Sequence, residues 1–313
     1  MEVFKIMEEK KSNVQLFPAK VRVVPNCKLA KVTANLAEQS YSKLISGKNA
    51  EIVEKRVTKK RAEVVSTFTV SNAEGYDNSD PLTFFDYCVL SVCISEQLAG
   101  NNYTTLAIIL RGLTGKTRKN ANGTSVNNGI VNPDQRNAIM HSIEKMMSTI
   151  IKVDNSVVNK ELGYEGEKIK KSAILPAFFE THIINGQIVE DTIYFDRLSP
   201  IFEVANQRNQ IIRYDSSLLD VSNQNNTPLV ISIKNYVMLR VMEIINHKMT
   251  PTITLADIFK KCRIDGTGKK YNMTREVKNV IDKFLEHLQS KGVIKSFNWK
   301  KQGTKIHGVE FTF

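Results

Sequence analysis

Apolar and polar residues recur with a helical period near the end of the chain. Between residues 274 and 290 the apolar positions return every three or four residues, as on the buried face of an amphipathic helix. They are Val277, Val280, Ile281, Phe284, Leu285 and Leu288. Gly292 follows, where a left-handed residue commonly ends a helix. Similar patterns predict helices at residues 233–249 and 254–263 and strands at residues 293–300 and 305–313.

The middle of the chain repeats this order of elements. Its patterns predict a helix at residues 83–99, a short helix ending near Leu110, and a third helix opened by Asn132 and Pro133. Strand-like runs at residues 172–184 and 187–195 follow, joined by Asn185-Gly186, a strong hairpin signal. Three helices followed by a hairpin is the order of a winged helix. An Asn-rich segment at residues 222–228 separates this unit from the last one.

The first 80 residues are less regular. They contain a strand-like stretch at residues 21–24, a helical stretch at residues 29–44 and a β-branched stretch at residues 64–70. A polar cluster closed by Pro81 marks a boundary. The sequence therefore predicts an α+β protein with two tandem winged-helix domains and a mixed N-terminal extension. The predicted bounds are residues 1–80 for the extension and residues 81–221 and 228–313 for the two domains.

Positive charge is concentrated in the last of these units. The chain of 313 residues has a formal net charge of +12, and residues 228–313 hold sixteen Lys and Arg against seven Asp and Glu, a net +9. This concentration favours a polyanionic partner, with nucleic acid ahead of an anionic membrane surface, which usually calls for a basic amphipathic helix or polybasic tail. The basic run at residues 55–61 fits a solvated linker or a phosphate-contacting arm better than a membrane anchor.

The hydropathy pattern argues against a membrane location. No apolar stretch approaches the roughly 20 residues that a transmembrane helix requires. The first eleven residues are too charged for a signal peptide. We therefore expect a cytoplasmic protein without a membrane partner.

The third helix of the C-terminal unit carries the candidate DNA-contacting side chains. In helix-turn-helix docking the N-terminal half of this helix enters the major groove, where Arg or Lys suits guanine and Asn suits adenine. The side chains predicted to contact bases are Arg275, Lys278, Asn279 and Thr274. Those predicted to contact phosphates are Lys269, Lys270, Lys300, Lys301 and Lys305. The alternative is a helix whose charges serve only to solubilise it.

The corresponding helix of the first unit is less basic. Its leading side chains are Gln135, Arg136 and Asn137. Two interpretations stay open for them: an auxiliary DNA contact, or part of a dimer surface.

One segment resembles a phosphate-binding loop. Gly112-Leu113-Thr114-Gly115-Lys116-Thr117 has two residues between its glycines, where the G-x-x-x-x-G-K-[ST] pattern requires four. The five histidines stand singly, and the four cysteines lack metal-binding spacing. We therefore predict a protein that is not an enzyme and that uses no cofactor and no metal.

The arrangement resembles the plasmid replication initiators that are built from two tandem winged helices. The resemblance covers about residues 80–313. It rests on Asp80-Pro81-Leu82 before a long helix, on Tyr194-Phe195-Asp196-Arg197-Leu198-Ser199-Pro200, and on Ile233-Lys234-Asn235-Tyr236 at the start of the second unit. It implies that the C-terminal unit contacts repeated origin sites in the major groove, with Arg275, Lys278 and Asn279 on the bases. It also implies that the first unit serves dimerisation and auxiliary DNA contacts.

These inferences define the expected function. We expect a sequence-specific protein that binds double-stranded DNA and initiates replication of a plasmid or mobile element. Its expected partners are a second copy of itself and host replication proteins, and its expected location is with the plasmid or nucleoid in the cytoplasm. The alternative is a winged-helix transcriptional repressor that uses the same DNA surface at its own or neighbouring promoters.

Overall fold

The computed structural model mixes helices and antiparallel sheets. It describes residues 18–33, 50–57, 62–72, 82–116, 131–154, 169–185, 187–221, 224–247, 249–264, 270–303 and 305–313. Among the residues that the structure describes, none of the helices is long and apolar enough to cross a lipid bilayer.

The elements follow one another in three stretches. The N-terminal stretch contains β1 (Val21–Pro25), α1 (Lys28–Thr33), β2 (Ala50–Val57) and β3 (Ala62–Asn72). The middle stretch contains α2 (Phe84–Leu98), β4 (Tyr103–Thr105), α3 (Leu106–Thr114), α4 (Pro133–Ser148), β5 (Thr149–Asp154), β6 (Ile169–Ala173), β7 (Ala177–Ile184), β8 (Gln187–Phe195), α5 (Pro200–Gln207), β9 (Ile211–Asp215) and a 3-10 turn (Ser216–Leu219). The C-terminal stretch contains α6 (Pro228–His247), β10 (Thr252–Thr254), α7 (Leu255–Lys261), α8 (Lys270–Ser290), β11 (Ser296–Gln302) and β12 (Lys305–Thr312).

Local signals explain where several helices begin. Thr83 caps α2 in a capping box with Asp86, whose backbone N–H donates to the Thr83 hydroxyl. Asn132 caps α4 ahead of Pro133, and Thr254 accepts from the Asp257 N–H at 3.0 Å to cap α7. The helices predicted in the two repeated units and both hairpins are present, with bounds shifted by a few residues. The strand predicted at residues 172–184 is instead divided into β6 and β7.

Two small sheets have the same arrangement. In the middle stretch the strand order is β4-β8-β7, and in the C-terminal stretch it is β10-β12-β11, with antiparallel pairing throughout. In both, the short strand before the second helix pairs with the last strand of the hairpin. The same order of helices and strands thus occurs twice, except that β5 and β6 are inserted between the third helix and the hairpin of the middle stretch.

The N-terminal segment belongs to the fold of the first unit. Strand β1 pairs with β9, more than 180 residues later, and the Ala19 N–H donates to Glu96 Oε1 at 2.6 Å. The Arg22 side chain is 1% exposed and donates to the carbonyl oxygens of Cys88, at 3.3 Å, and Gly112. The expectation of an extension that stops at residue 80 is wrong for these residues, because their partners lie far away in the sequence.

The second part of the expected extension also joins a sheet of the first unit. Strands β2 and β3 form a hairpin, and β3 pairs with β5 in a four-stranded sheet of order β2-β3-β5-β6. The first residues of the basic run, Lys55 and Arg56, therefore lie in a strand instead of a linker. Residues 58–61 of that run lie outside the described residues, as do residues 34–44 of the predicted helix at residues 29–44.

The two repeated units share one hydrophobic core. Helix α6 packs against α2, where the rings of Tyr236 and Phe84 meet edge to face with centroids 5.6 Å apart. The Asn235 side-chain amide donates to the Leu113 carbonyl at the end of α3, at 3.1 Å. The first helices of the two units are therefore in contact, although the segment at residues 222–228 separates the units in sequence.

A buried lysine lies at this junction. Lys234 is 0% exposed, and its ammonium donates to the Leu219 carbonyl at 3.1 Å and to Asn226 Oδ1 at 3.0 Å. Burial lowers the pKa of Lys234 from 10.5 to about 8. The negative charge of Asp220 acts in the other direction and raises this pKa, but by less. Between these two pH values the unfolded chain retains a proton that the folded chain has lost. The contribution of Lys234 to stability therefore rises with pH across this window.

We expect Lys234→Met to remove this pH dependence. From pH 7.5 to pH 10 the free energy of unfolding of the native protein should gain about 2 kcal/mol relative to the variant. Urea unfolding of both proteins at the two pH values measures the difference, and the comparison cancels the titration of all other groups. Equal pH dependence in the two proteins would contradict the assignment.

Candidate nucleic-acid interface

Helix α8 separates an apolar face from a polar one. The inward side chains of Val277, Ile281, Phe284, Leu285 and Leu288 are at most 1% exposed. On the opposite side Arg275, Asn279 and Lys283 are exposed at positions i, i+4 and i+8, which form one stripe along the helix. The structure thus places two of the four predicted base-contacting residues, Arg275 and Asn279, on the solvent side.

The other two predicted base contacts, Thr274 and Lys278, are half-buried. The Lys278 ammonium pairs with Asp282 one turn later on α8 and lies 5.0 Å from the ring centroid of Trp299 on β11. Asp282 in turn accepts a hydrogen bond from the indole N–H of Trp299 at 2.6 Å. Lys278 is therefore held by partners inside the protein, and its predicted contact with DNA stays a prediction.

The hairpin places its lysines in different surroundings. The Lys300 ammonium pairs with Glu310 on β12, 2.8 Å from Oε1, while Lys301 is exposed. The register between β11 and β12 shifts between Lys300 and Lys301, and such a bulge redirects the residues that follow it. Lys269 and the side chains of Lys270 and Lys305 lie outside the described part of the chain.

In the first unit two of the three auxiliary candidates have partners inside the protein. Gln135 donates from Nε2 to the Asn226 carbonyl at 2.8 Å. Arg136 forms a two-pronged contact with Asp191 on β8, at 2.6 and 2.9 Å, and this hydrogen bonding raises the pKa of Arg136. Asn137 alone of the three is exposed. Gln135 and Arg136 thus have partners inside the protein, and both interpretations of this helix, an auxiliary DNA contact and a dimer surface, stay open.

Buried charged side chains join helix α4 to helix α2. Lys145 and Asp86 are almost fully buried, and the Lys145 ammonium lies 2.8 Å from Asp86 Oδ2. The Ser142 hydroxyl donates to the other oxygen of the same carboxylate. This network fixes α4 against α2, so Lys145 is a structural residue.

The segment that resembles a phosphate loop lies at the wrong end of a helix. Phosphate loops precede a helix, whose N-terminal N–H groups bind the anion. Gly112 and Gly115 instead lie at the C-terminal end of α3, where Gly115 has a φ of +73°. A Cβ at Gly115 would come within 2.5 Å of the Ser216 carbonyl oxygen, so close packing explains this glycine.

Cysteine thiols and other side chains that could bind a metal do not converge in the described residues. Cys27, Cys88 and Cys93 are buried thiols, and burial raises the pKa of Cys93 to about 12. Within the described ranges no three His, Cys, Asp or Glu side chains are placed so that they could hold a metal ion.

Two residues of the C-terminal surface are not indicated by the sequence pattern. Trp299 and Asp282 hold Lys278, and they lie 17 residues apart. The only sequence signal is the i, i+4 spacing of Lys278 and Asp282, which is common on exposed helices.

The chain is similar in backbone to solved structures but matches no protein-family model. No curated protein matches it either. Among solved structures, RctB domains 2 and 3 align with 84% of this chain and 92% of their own, at a TM-score of 0.43 and 12% identity. A selenomethionine form of the same domains aligns with 91% and 98%, at a TM-score of 0.40 and 12% identity. Both TM-scores are low, and the similarity concerns the backbone alone.

Proposed function

We propose that the chain is a sequence-specific protein that binds double-stranded DNA and initiates replication of a plasmid or mobile element. In this proposal both repeated units are winged helices, and the C-terminal unit docks α8 into the major groove. The alternative output, transcriptional repression, would use the same surface.

The observation that carries the proposal is the exposed stripe on α8. Arg275 and Asn279 are one helical turn apart on a helix whose other face is buried. These side-chain types form two-pronged hydrogen bonds with guanine and adenine edges. Around them the unit has a net charge of +9, which supplies the sequence-independent attraction to phosphates.

The repeated element order supports the winged-helix assignment. In both units a short strand before the second helix pairs with the last hairpin strand, and the third helix precedes that hairpin. A third helix next to a hairpin is the surface with which winged helices contact the groove and the flanking backbone. The first unit has a less basic third helix, in which Arg136 is held by Asp191. For that unit we propose self-association as the main role.

Selection of bound duplexes from random fragments tests DNA recognition first. We expect the full chain to enrich a repeated motif. A plasmid carrying the gene and the enriched repeats should then replicate autonomously in a host that cannot maintain the vector alone. A protein that enriches a motif and controls a promoter but does not support plasmid replication would be a repressor. Failure to enrich any motif would refute sequence-specific binding.

Lys301→Ala tests the role of the hairpin. Because Lys301 is exposed on the hairpin, we expect its ammonium to contact a phosphate. Its removal should therefore weaken binding to all duplexes about equally. The slope of log K against log salt should flatten by about one. Titrations of selected and scrambled duplexes at several salt concentrations measure both quantities. A loss confined to the selected duplex would contradict a phosphate contact.

A further inference from the structure

One side-chain cluster joins the third helix of the C-terminal unit to its hairpin. Asp282 lies at the centre of this cluster. Its Oδ1 accepts a hydrogen bond from the Trp299 indole N–H at 2.6 Å, and its Oδ2 pairs with the Lys278 ammonium. The same ammonium lies over the Trp299 ring, 5.0 Å from its centroid. Each carboxylate oxygen thus has its own partner, one on the hairpin and one on the helix.

The two contacts of Asp282 differ in how easily they exchange. The side chains of Lys278 and Asp282 keep 31% and 23% of their surface exposed, so water screens their attraction. A lysine has three donors on a flexible stem and can turn to another anion, and water can then reach the partly exposed carboxylate oxygen that the lysine leaves. The indole has a single donor on a rigid ring, and that donor is already used by Asp282. The lysine contact is therefore the exchangeable one.

The location of the cluster indicates which anion would replace the carboxylate. Lys278 lies one residue before Asn279, beside the exposed stripe that also contains Arg275. On a surface with these cations a duplex would bring its backbone phosphates close to Asp282. An uncompensated carboxylate at this place would repel them.

We propose that Asp282 holds the Lys278 ammonium in an ion pair, in the place that a DNA phosphate takes when a duplex docks. The lysine then transfers from the carboxylate to a backbone phosphate, while Asp282 retains the indole and keeps the hairpin aligned with α8. Asp282 is thus a positioning residue, and its charge also limits binding to random DNA. This inference rests on the proposed function, because it requires α8 to face a duplex.

Asp282→Asn is the first test. The amide keeps an oxygen that can accept from the indole N–H, but it loses the charge that holds Lys278. We expect the Kd for a random-sequence duplex at 0.1 M salt to fall about three- to tenfold, and the salt slope to steepen by about one. Glu286→Gln is the matched control, because Glu286 is exposed on the next turn of the same helix. We expect that variant to change the Kd less than about twofold.

Trp299 supplies a direct signal from the cluster, since it is the single tryptophan of the chain. Saturation with duplex should change its emission as the ammonium leaves the ring. In Lys278→Met this change should be absent, and the salt slope should flatten by about one. Trp299→Phe removes the N–H but no charge, so we expect the preference for the selected duplex over a random one to fall with little change in slope.

The outcomes separate the two proposals. If Asp282→Asn and Lys278→Met both bind with the Kd and salt slope of the native protein, the exchange of Lys278 is refuted. If Asp282→Asn does not fold, as judged by its thermal midpoint, Lys278→Met decides alone through its slope and its emission. A native protein that binds no duplex at all would refute the proposed function instead.

Discussion

Arg275→Ala is expected to weaken binding to the selected duplex by about 1–3 kcal/mol, which is roughly a 5- to 150-fold increase in Kd. Arg275 is exposed on α8, and its planar guanidinium can donate two parallel hydrogen bonds to one guanine edge. A scrambled duplex offers that side chain at most a phosphate, so its affinity should fall much less. Anisotropy titrations of both duplexes with the native and variant proteins measure the two changes.

Two further variants separate base contact from charge. Arg275→Lys keeps the charge but loses the planar fork, so we expect weaker binding to the selected duplex with unchanged binding to the scrambled one. Arg213→Ala removes an exposed arginine from β9 in the other unit, and should leave the ratio of the two affinities unchanged. Equal losses on both duplexes for Arg275→Ala would show that Arg275 contacts only the backbone.

Asp86→Ala is expected to have the largest effect on stability, a loss of about 3–5 kcal/mol in the free energy of unfolding. The substitution leaves the Lys145 ammonium buried without its carboxylate, which lies 2.8 Å away in the native protein. It also removes the acceptor for the Ser142 hydroxyl and half of the capping box with Thr83. Urea unfolding followed by circular dichroism measures the loss.

A double variant tests whether the stranded charge is the cause. Asp86→Ala with Lys145→Met removes both ions, so we expect it to regain part of the stability that the single variant loses. Asp196→Ala, at an exposed position, removes the same charge without a buried partner, and should cost less than about 0.5 kcal/mol. A double variant no more stable than Asp86→Ala alone would locate the loss in the cap and the packing.

Local patterns account for the elements that position the candidate site. The apolar stripe from Val277 to Leu288 places α8 and its buried face, and the polar residues on the other side of the helix supply the exposed stripe with Arg275 and Asn279. The signal Asn185-Gly186 places the hairpin of the first unit between β7 and β8. These features are set by neighbours within about one turn of helix or one hairpin, where sequence spacing is spatial spacing.

Long-range contacts account for what the patterns missed. Strand β1 pairs with β9, and Arg22 reaches carbonyls more than 60 residues away, so the N-terminal segment is part of the first unit. Nothing in the local composition of residues 18–33 distinguishes such a segment from a separate extension. The contact between Tyr236 and Phe84 likewise joins two units that the Asn-rich segment separates in sequence.

The sequence by itself determined the helices and hairpins of the two repeated units and the surplus of positive charge in residues 228–313, because periodicity, capping and charge are properties of neighbouring residues. Only the tertiary structure decided which cationic side chains stay exposed to solvent. Arg136 is held by Asp191, 55 positions later, and Lys278 is held against Trp299 on the hairpin, whereas Arg275 stays exposed. A charged side chain takes the partner that folding brings within about 3–4 Å, and that partner is fixed by chain topology, which no local pattern contains.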